Sequence, residues 1–161
     1  MVDSVLPDME VRRLRPDDCQ IGVDAIRLLK VPDGYPTPSV TYLSRFLSRP
    51  ENVLIVAIES GIPVGYVVAY LLDRIDRDQK MMFFYEIGVA ESHRRRGIGK
   101  EMISELKCIC READVMKMWV PTSRSNIAAT RLYASSGAAP VSSDDEVTFA
   151  YPRDSFMRVR G

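Results

Sequence analysis

The segment with the clearest chemical meaning is a basic run that contains two glycines, Arg94-Arg95-Arg96-Gly97-Ile98-Gly99-Lys100. It follows an apolar stretch and precedes apolar residues with the spacing of an amphipathic helix. Free N–H groups and the positive dipole end at a helix start bind anions, and glycine lets a phosphate approach the backbone. The three arginines would add positive charge at the same place. The segment therefore predicts a diphosphate-binding loop, with a glycine turn beside a solvated basic run as the alternative.

Two segments of the chain carry recognisable motifs. Arg94-x-x-Gly97-x-Gly99, which follows Ile87-Gly88-Val89, resembles the acetyl-CoA motif of the GNAT superfamily of N-acetyltransferases. Downstream, Asn126-Ile-Ala-Ala-Thr-Arg-Leu132-Tyr133-Ala-Ser-Ser-Gly137 resembles its Asn-x-x-Ala-x-x-Leu-Tyr-x-x-x-Gly segment. Two motifs in this order are far more specific than one, and the resemblance covers residues 11–151. It implies an N-acetyltransferase with acetyl-CoA as acetyl donor and no metal.

The resemblance also implies roles for individual positions. Backbone groups of Ile87 and Val89 would pair with the pantetheine arm like an added strand, and the backbone amides of residues 95–100 would hold the pyrophosphate. Asn126 would hydrogen-bond the cofactor near its arm, and Tyr133 would lie beside the thioester sulfur. The predicted cofactor-binding residues are Ile87, Gly88, Val89, Arg94, Arg95, Arg96, Gly97, Ile98, Gly99, Lys100, Asn126 and Tyr133.

Glu86 and Tyr133 are the candidates for acid–base chemistry. An amine is mostly protonated at pH 7, so a base must take its proton before attack, and Glu86 could do this directly or through water. The alternative for Glu86 is a carboxylate in a structural ion pair. The leaving CoA thiolate needs a proton, which the Tyr133 hydroxyl could donate; the alternative is an aromatic side chain that packs on a helix face. Direct attack needs no covalent intermediate, because both substrates can be held together.

A closer resemblance, which concerns the acceptor, rests on several short segments: Tyr42-Leu43, Val64-Gly65, Ala69-Tyr70-Leu71, Tyr85-Glu86, His93-Arg94-Arg95, Glu146-Val147 and Asp154-Ser155. They are similar to segments of the aminoglycoside 3-N-acetyltransferases. Those enzymes have an aspartate at the position of Glu86 and an acidic pair where this chain has Ser125-Asn126. Other acidic residues could attract a polycation: Asp33, Asp73, Asp76, Asp78, Asp144 and Asp145.

Two other functions stay open at this point. One is acetylation of another small amine, or of a peptide or protein amine. The other is a non-catalytic sensor that binds acyl-CoA, although the presence of Glu86 and Tyr133 favours an enzyme.

The predicted strands and helices indicate a single α/β domain over residues 1–161, with about residues 1–10 flexible. Strands are predicted at 11–14, 52–58, 64–72, 81–90, 115–120 and 146–151. Helices are predicted from Pro16 to Leu29, at 39–48, at 98–113 and at 126–136. The apolar face of the first helix is predicted to contain Ile21, Ala25, Ile26, Leu28 and Leu29. The order indicates a central mixed, largely antiparallel sheet flanked by helices on both faces, with one strand–loop–helix–strand crossover in the middle.

Composition and charge argue against several classes of partner and site. The formal net charge is zero, which argues against a nucleic-acid partner, and the longest apolar stretch, 64–72, is too short to span a bilayer. Residues 1–10 contain three acidic residues and no apolar h-region, so we expect no secretory signal there. The three cysteines are expected to be reduced thiols. His93 is the single histidine and has no partner histidine, which argues against zinc chemistry. We expect a cytoplasmic enzyme with a small-molecule amine substrate, no membrane partner and a possible homodimer.

Overall fold

The computed structural model describes residues 8–141 and 152–153, and this part of the chain forms five strands and four α-helices. In chain order they are β1 (Met9–Arg13), α1 (Cys19–Leu29), α2 (Val40–Leu47), β2 (Asn52–Glu59), β3 (Ile62–Asp73), β4 (Lys80–Val89), α3 (Ile98–Glu112), β5 (Val115–Trp119) and α4 (Ile127–Ser135). Short 3-10 turns occupy Pro16–Asp18, Val31–Asp33 and Glu91–His93. The strand predicted at 146–151 lies outside the described residues.

The five strands form one sheet in the order β1-β2-β3-β4-β5. Neighbouring strands are antiparallel from β1 to β4, and β5 is parallel to β4. A parallel pair needs a crossover, which α3 supplies between β4 and β5. The prediction of a mixed, largely antiparallel sheet with one central crossover is confirmed.

The sheet has a hydrophobic core on each face because its strand residues alternate between the two faces. On one face, Met82 and Phe84 pack with Ile98, Met102 and other residues of α3. On the other face, residues of α1 and α2 pack against the sheet; the core on this side comprises Leu14, Val23, Ala25, Leu43, Leu47, Leu54, Val56, Ile58, Tyr66 and Val68. Helices therefore cover both faces, as predicted. In the described part of the chain, no helix is long and apolar enough to cross a membrane.

Two details of the predicted elements are corrected. Leu28, predicted on the apolar face of α1, is 45% exposed. The buried face contains Gly22 instead, and a Cβ at position 22 would lie only 3.0 Å from Leu43 Cδ1. Met9 and Glu10, expected within the flexible terminus, belong to β1, where they pair with β2. Hydrophobic spacing did not place Gly22 on the buried face because glycine has no apolar side chain, although its small size lets α1 approach α2.

Candidate active site

A β-bulge in β4 decides the direction of the Glu86 side chain. Val68 of β3 pairs with Glu86 and Ala69 pairs with Phe84, so Tyr85 is an extra residue on β4. Strict alternation from Phe84, which faces α3, would turn Glu86 toward α3 as well. The extra residue reverses this, and Glu86 lies on the face of α1 and α2, as does its cross-strand partner Val68.

On that face Glu86 forms an ion pair with Lys30, which follows the last residue of α1. Lys30 Nζ donates a hydrogen bond to Glu86 Oε1, and the two side chains are 14% and 27% exposed. Lys30 Nζ also lies 4.5 Å from the ring centroid of Tyr35 and 5.6 Å from that of Tyr66. The ion pair that the sequence left as an alternative is therefore present, and the role of Glu86 as a base stays a prediction.

Tyr66 is held next to Glu86 by the glycine at position 88. A Cβ at Gly88 would lie 2.4 Å from Tyr66 Cε1, so only glycine leaves room for the ring. Burial, followed by the charge of Glu86, raises the pKa of Tyr66, which keeps its hydroxyl protonated. Sequence reasoning missed Lys30, Tyr35 and Tyr66, because no motif contains them and Lys30 is 56 residues from Glu86.

The backbone of Ile87 and Val89 faces away from β3, toward the side of β5. Ala90 N donates to Val64 O at 2.8 Å, and hydrogen-bonded pairs in an antiparallel ladder alternate, so the N–H and C=O of Gly88 also face β3. Those of Ile87 and Val89 must then point the other way. Among the described residues, β5 pairs with β4 only as far as Phe83. β5 ends at this pair. The unpaired edge of β4 beyond it, which we call the gap between β4 and β5, is where an extended ligand could pair with Ile87 and Val89.

Positions 97 and 99, at the start of α3, favour glycine for two different structural reasons. Gly97 is the N-cap residue with φ of 82°, a left-handed conformation that favours glycine, and no atom lies within 4 Å of the place where its Cβ would be. A Cβ at Gly99 would lie 3.1 Å from Leu132 Cδ2, so glycine at 99 lets α4 approach α3. We predicted that both glycines make room for a phosphate. The side-chain position of Gly99 is instead directed at α4, whereas its backbone amide belongs to the first turn, where N–H groups lack helical partners.

The side chain of Ile98 is 2% exposed and belongs to the core, so only its backbone amide can meet a ligand. Lys100, two residues later on α3, is exposed. The first turn of α3 thus presents backbone N–H groups and one exposed cation beside Gly97.

The three arginines of the loop before α3 are not equivalent. Arg96 donates to Glu59 Oε1 at 2.5 Å, and His93 Nε2 lies 2.7 Å from Glu59 Oε2. Arg96 and then His93 lower the pKa of Glu59. Arg94 Nε donates to Val89 O at 3.2 Å. Arg95 is exposed, and its side chain has no polar partner within the described part of the chain. Arg95 is therefore the arginine whose positive charge is most directly available to a bound anion, whereas the guanidinium of Arg96 is paired with Glu59.

Asn126 and Tyr133 belong to α4. Asn126 is the N-cap of that helix, and its Oδ1 accepts a hydrogen bond from Ala129 N at 3.1 Å. The ring of Tyr133 packs edge-on against Phe84 with 5.6 Å between centroids, and burial raises the pKa of its hydroxyl. Tyr133 therefore contacts β4 from the α3 face, whereas Glu86 extends to the opposite face. The two predicted catalytic side chains lie on either side of the strand at the bulge.

A cavity of about 920 Å³ lies elsewhere, lined by residues 73–80 and 112–114. It surrounds the start of β4, six residues before Glu86, which corresponds to about 20 Å along a strand. Its lining is mainly charged and shares no residue with the predicted site, so we assign this cavity no part in acetyl transfer.

Residues 22–138, well over half of the chain, match the profile of the acetyltransferase (GNAT) family. The chain belongs to this family. The resemblance that the two sequence motifs indicated is therefore confirmed, and the protein is a GNAT acetyltransferase. No curated protein sequence matches the chain.

Solved structures of other acetyltransferases have the same fold as this GNAT chain. An aminoglycoside acetyltransferase from an uncultured soil metagenomic sample, in complex with trehalose, is 21% identical with a TM-score of 0.80, over 91% of this chain and 97% of that one. Aminoglycoside N-acetyltransferase AAC(6')-Iy in complex with CoA is 19% identical with a TM-score of 0.72, over 90% and 95%. A ribosomal-protein-alanine N-acetyltransferase from Brucella melitensis is 22% identical with a TM-score of 0.65, over 88% and 99%. At these identities the likeness shows a shared fold.

Proposed function

We propose that the protein transfers the acetyl group of acetyl-CoA to a primary amine by direct attack in a ternary complex. The gap between β4 and β5 carries this proposal, because it opens beside Ile87 and Val89 and lies next to both Glu86 and Tyr133. The backbone of Ile87 and the N–H of Val89 pair with the pantetheine arm, while Val89 O accepts from Arg94 Nε. The first turn of α3, with Gly97 as its N-cap, holds the pyrophosphate through free N–H groups.

The remaining predicted positions support the same binding mode. Arg95 contributes side-chain charge to the phosphates, and Arg94 closes the loop by its bond to Val89 O. The amides of Ile98, Gly99 and Lys100 complete the first turn. Asn126 orders the start of α4 and offers its side-chain amide to the arm of the cofactor.

Glu86 and Tyr133 divide the proton transfers in this mechanism. Glu86 takes a proton from the acceptor ammonium, directly or through water, and the amine then attacks the thioester carbonyl. Tyr133 donates a proton to the departing sulfur; its raised pKa keeps that proton in place at neutral pH. Holding both substrates in one gap supplies the proximity that direct attack requires.

We propose an aminoglycoside as the acceptor, with the 3-amino group as the position that the sequence resemblance indicates. The folds of aminoglycoside acetyltransferases among the similar structures support the class of acceptor. Such an enzyme would act in the cytoplasm and protect a cell from the antibiotic.

The acidic residues that could attract a polycation differ in their ion-pair partners. Asp73 is paired with Lys80, and Asp76 with Arg74, so these two carboxylates are already neutralised. Asp33 has no ion-pair partner within the described residues and follows α1 directly, close in sequence to the Glu86 partner. We propose that Asp33 is the second carboxylate that attracts a polycation.

Release of free thiol from acetyl-CoA tests the proposal across a panel of gentamicin-type and kanamycin-type compounds, spermidine, amino acids and a peptide N-terminus. A polycation held by exposed carboxylates should bind less well at high salt, because exposed charges are screened over about 10 Å at 0.1 M. Mapping the acetylated nitrogen checks the 3-amino position. Turnover of the peptide with every aminoglycoside inert would reject the acceptor and keep the acetyltransferase. Binding of acetyl-CoA without thiol release from any amine would indicate the sensor function instead.

A further inference from the structure

The ammonium of Lys30 lies among three side chains, the carboxylate of Glu86 and the rings of Tyr35 and Tyr66, which we call the ammonium box. Nζ donates a hydrogen bond to the carboxylate and lies 4.5 Å and 5.6 Å from the two ring centroids. A carboxylate combined with aromatic faces is an arrangement that binds ammonium ligands. The box is therefore shaped for one primary ammonium, and the chain fills it with its own lysine.

The box is open to exchange, unlike an ion pair sealed in a core. Glu86 keeps 27% of its side chain exposed and Tyr35 is 54% exposed. Lys30 stands at the C-terminal cap of α1, and residues 31–37 after it are all exposed. The Lys30 side chain can leave the box by rotation about its own bonds, toward this exposed segment.

The box also lies where acetyl transfer needs the amine. An arm that starts at the helix α3 and pairs with Val89 and then Ile87 runs back along β4 toward the bulge. Two strand residues span about 7 Å, so the end of the arm arrives level with Glu86. The carboxylate that is predicted to act as base is the same one that forms the floor of the box.

We propose that the ammonium box is the acceptor subsite, that Lys30 is its resident competitor, and that the primary ammonium of an acceptor enters by replacing Lys30 Nζ. This inference rests on the proposed acetyl transfer at Glu86. In the box, the ammonium gives one proton to Glu86 and the nitrogen attacks the thioester carbonyl carbon. The C–N bond forms, the C–S bond breaks, and the CoA sulfur takes a proton from Tyr133. The nitrogen then loses its second proton, which returns to Tyr133 directly or through water, so that the products are the neutral amide and free CoA thiol.

Lys30→Ala tests the subsite by chemical rescue. The substitution removes Cγ, Cδ, Cε and Nζ, a set of atoms with the size and charge of propylammonium. Because the Lys30 side chain is only 14% exposed, the space it leaves is bounded on most sides. We expect thiol release with propylamine to rise at least about tenfold over wild type, with N-acetylpropylamine as product. Methylamine and hexylamine, which fit the space less well, should give smaller increases.

Three controls separate the outcomes. Lys30→Ala with Glu86→Gln should lose the rescue, and rescue that persists there would overturn the inference, since the amine would not be in the box. Lys30→Ala that gains a normal thermal shift with acetyl-CoA but no propylamine turnover would also overturn it. If Lys30→Ala fails in this way but wild type acetylates an aminoglycoside in the same assay, only the subsite is rejected and the proposed function stands. If wild type releases no thiol with any amine, both the proposed function and the subsite are rejected.

A second pair of variants keeps the test decisive if Lys30→Ala does not fold. Tyr35→Leu removes one face of the box at an exposed position and should raise the KM of the best wild-type acceptor about two- to fivefold. The KM of acetyl-CoA should not change. Tyr42→Leu is the matched control, because Tyr42 is 50% exposed and lies under another cation, Arg45, at 5.6 Å. Equal effects of the two substitutions, or no effect of Tyr35→Leu, would overturn the inference.

Discussion

Replacing Gly88 by alanine should destabilise the protein through a single contact with Tyr66. The new Cβ would lie 2.4 Å from Tyr66 Cε1, 3.0 Å from Cζ and 3.2 Å from the hydroxyl oxygen. Carbon atoms in contact prefer about 3.5 to 4.0 Å, so the ring must move by about 1 Å. Tyr66 is only 6% exposed and packs in the core beneath α1 and α2, which leaves little room for that movement.

The expected cost follows from two opposing contributions. Overpacking of a filled core costs about 1 to 3 kcal/mol. Gly88 is not among the glycines with positive φ, so alanine fits the backbone and recovers about 0.4 to 1 kcal/mol from the unfolded state. The net loss of unfolding free energy should be about 1 to 2 kcal/mol, which lowers the urea midpoint by about 0.5 to 1 M at a typical slope.

A double-mutant cycle with Tyr66→Leu shows whether the ring causes the loss. Leucine lacks the ring atoms that the new Cβ would strike, so Gly88→Ala should cost almost nothing in the Tyr66→Leu background. The coupling energy should be about 1 to 2 kcal/mol, measured by urea unfolding of the four proteins. An unchanged midpoint for Gly88→Ala, or the same cost in both backgrounds, would refute the reasoning.

Four further predictions concern the cofactor, catalysis and pH. Acetyl-CoA at 100 times its Kd should stabilise wild type by about 2.7 kcal/mol in thermal unfolding, and Gly97→Val should abolish this shift; a variant that keeps the shift contradicts the loop assignment. Tyr133→Phe should lower turnover about 10- to 1,000-fold with acetyl-CoA affinity nearly unchanged, whereas equal turnover would make Tyr133 a packing residue. Glu86→Gln should flatten the rise of rate with pH, and a wild-type profile would make Glu86 structural. Asp18 accepts two hydrogen bonds from Arg12 that lower its pKa, so Asp18→Asn should cost on the order of 1 kcal/mol at pH 7. Because the folded pKa is the lower one, this contribution is present above the unfolded pKa, and the difference from wild type in urea unfolding should disappear as pH falls through the folded pKa.

The sequence was sufficient for the elements whose signals are local. The start of α3 and its loop were predicted from Gly97 and the arginines, since helix starts and anion sites depend on neighbouring residues. The crossover from β4 through α3 to β5 followed from the order of apolar segments. The sequence did not show that packing also requires glycine at position 99, because that contact comes from Leu132, 33 positions later in the chain.

The family and the order of elements follow from the sequence alone, because both depend on residues close together in the chain. The segments proposed to bind the cofactor were predicted from the same local signals. The tertiary structure alone decided what surrounds Glu86. Residues 81–85 are all apolar, so alternation could not reveal the extra residue at Tyr85 that turns Glu86 toward α1. Lys30 then meets Glu86 because α1 packs on that face of the sheet. A one-residue bulge reverses the direction of every later side chain, and only the pairing of β3 with β4 shows that it is there.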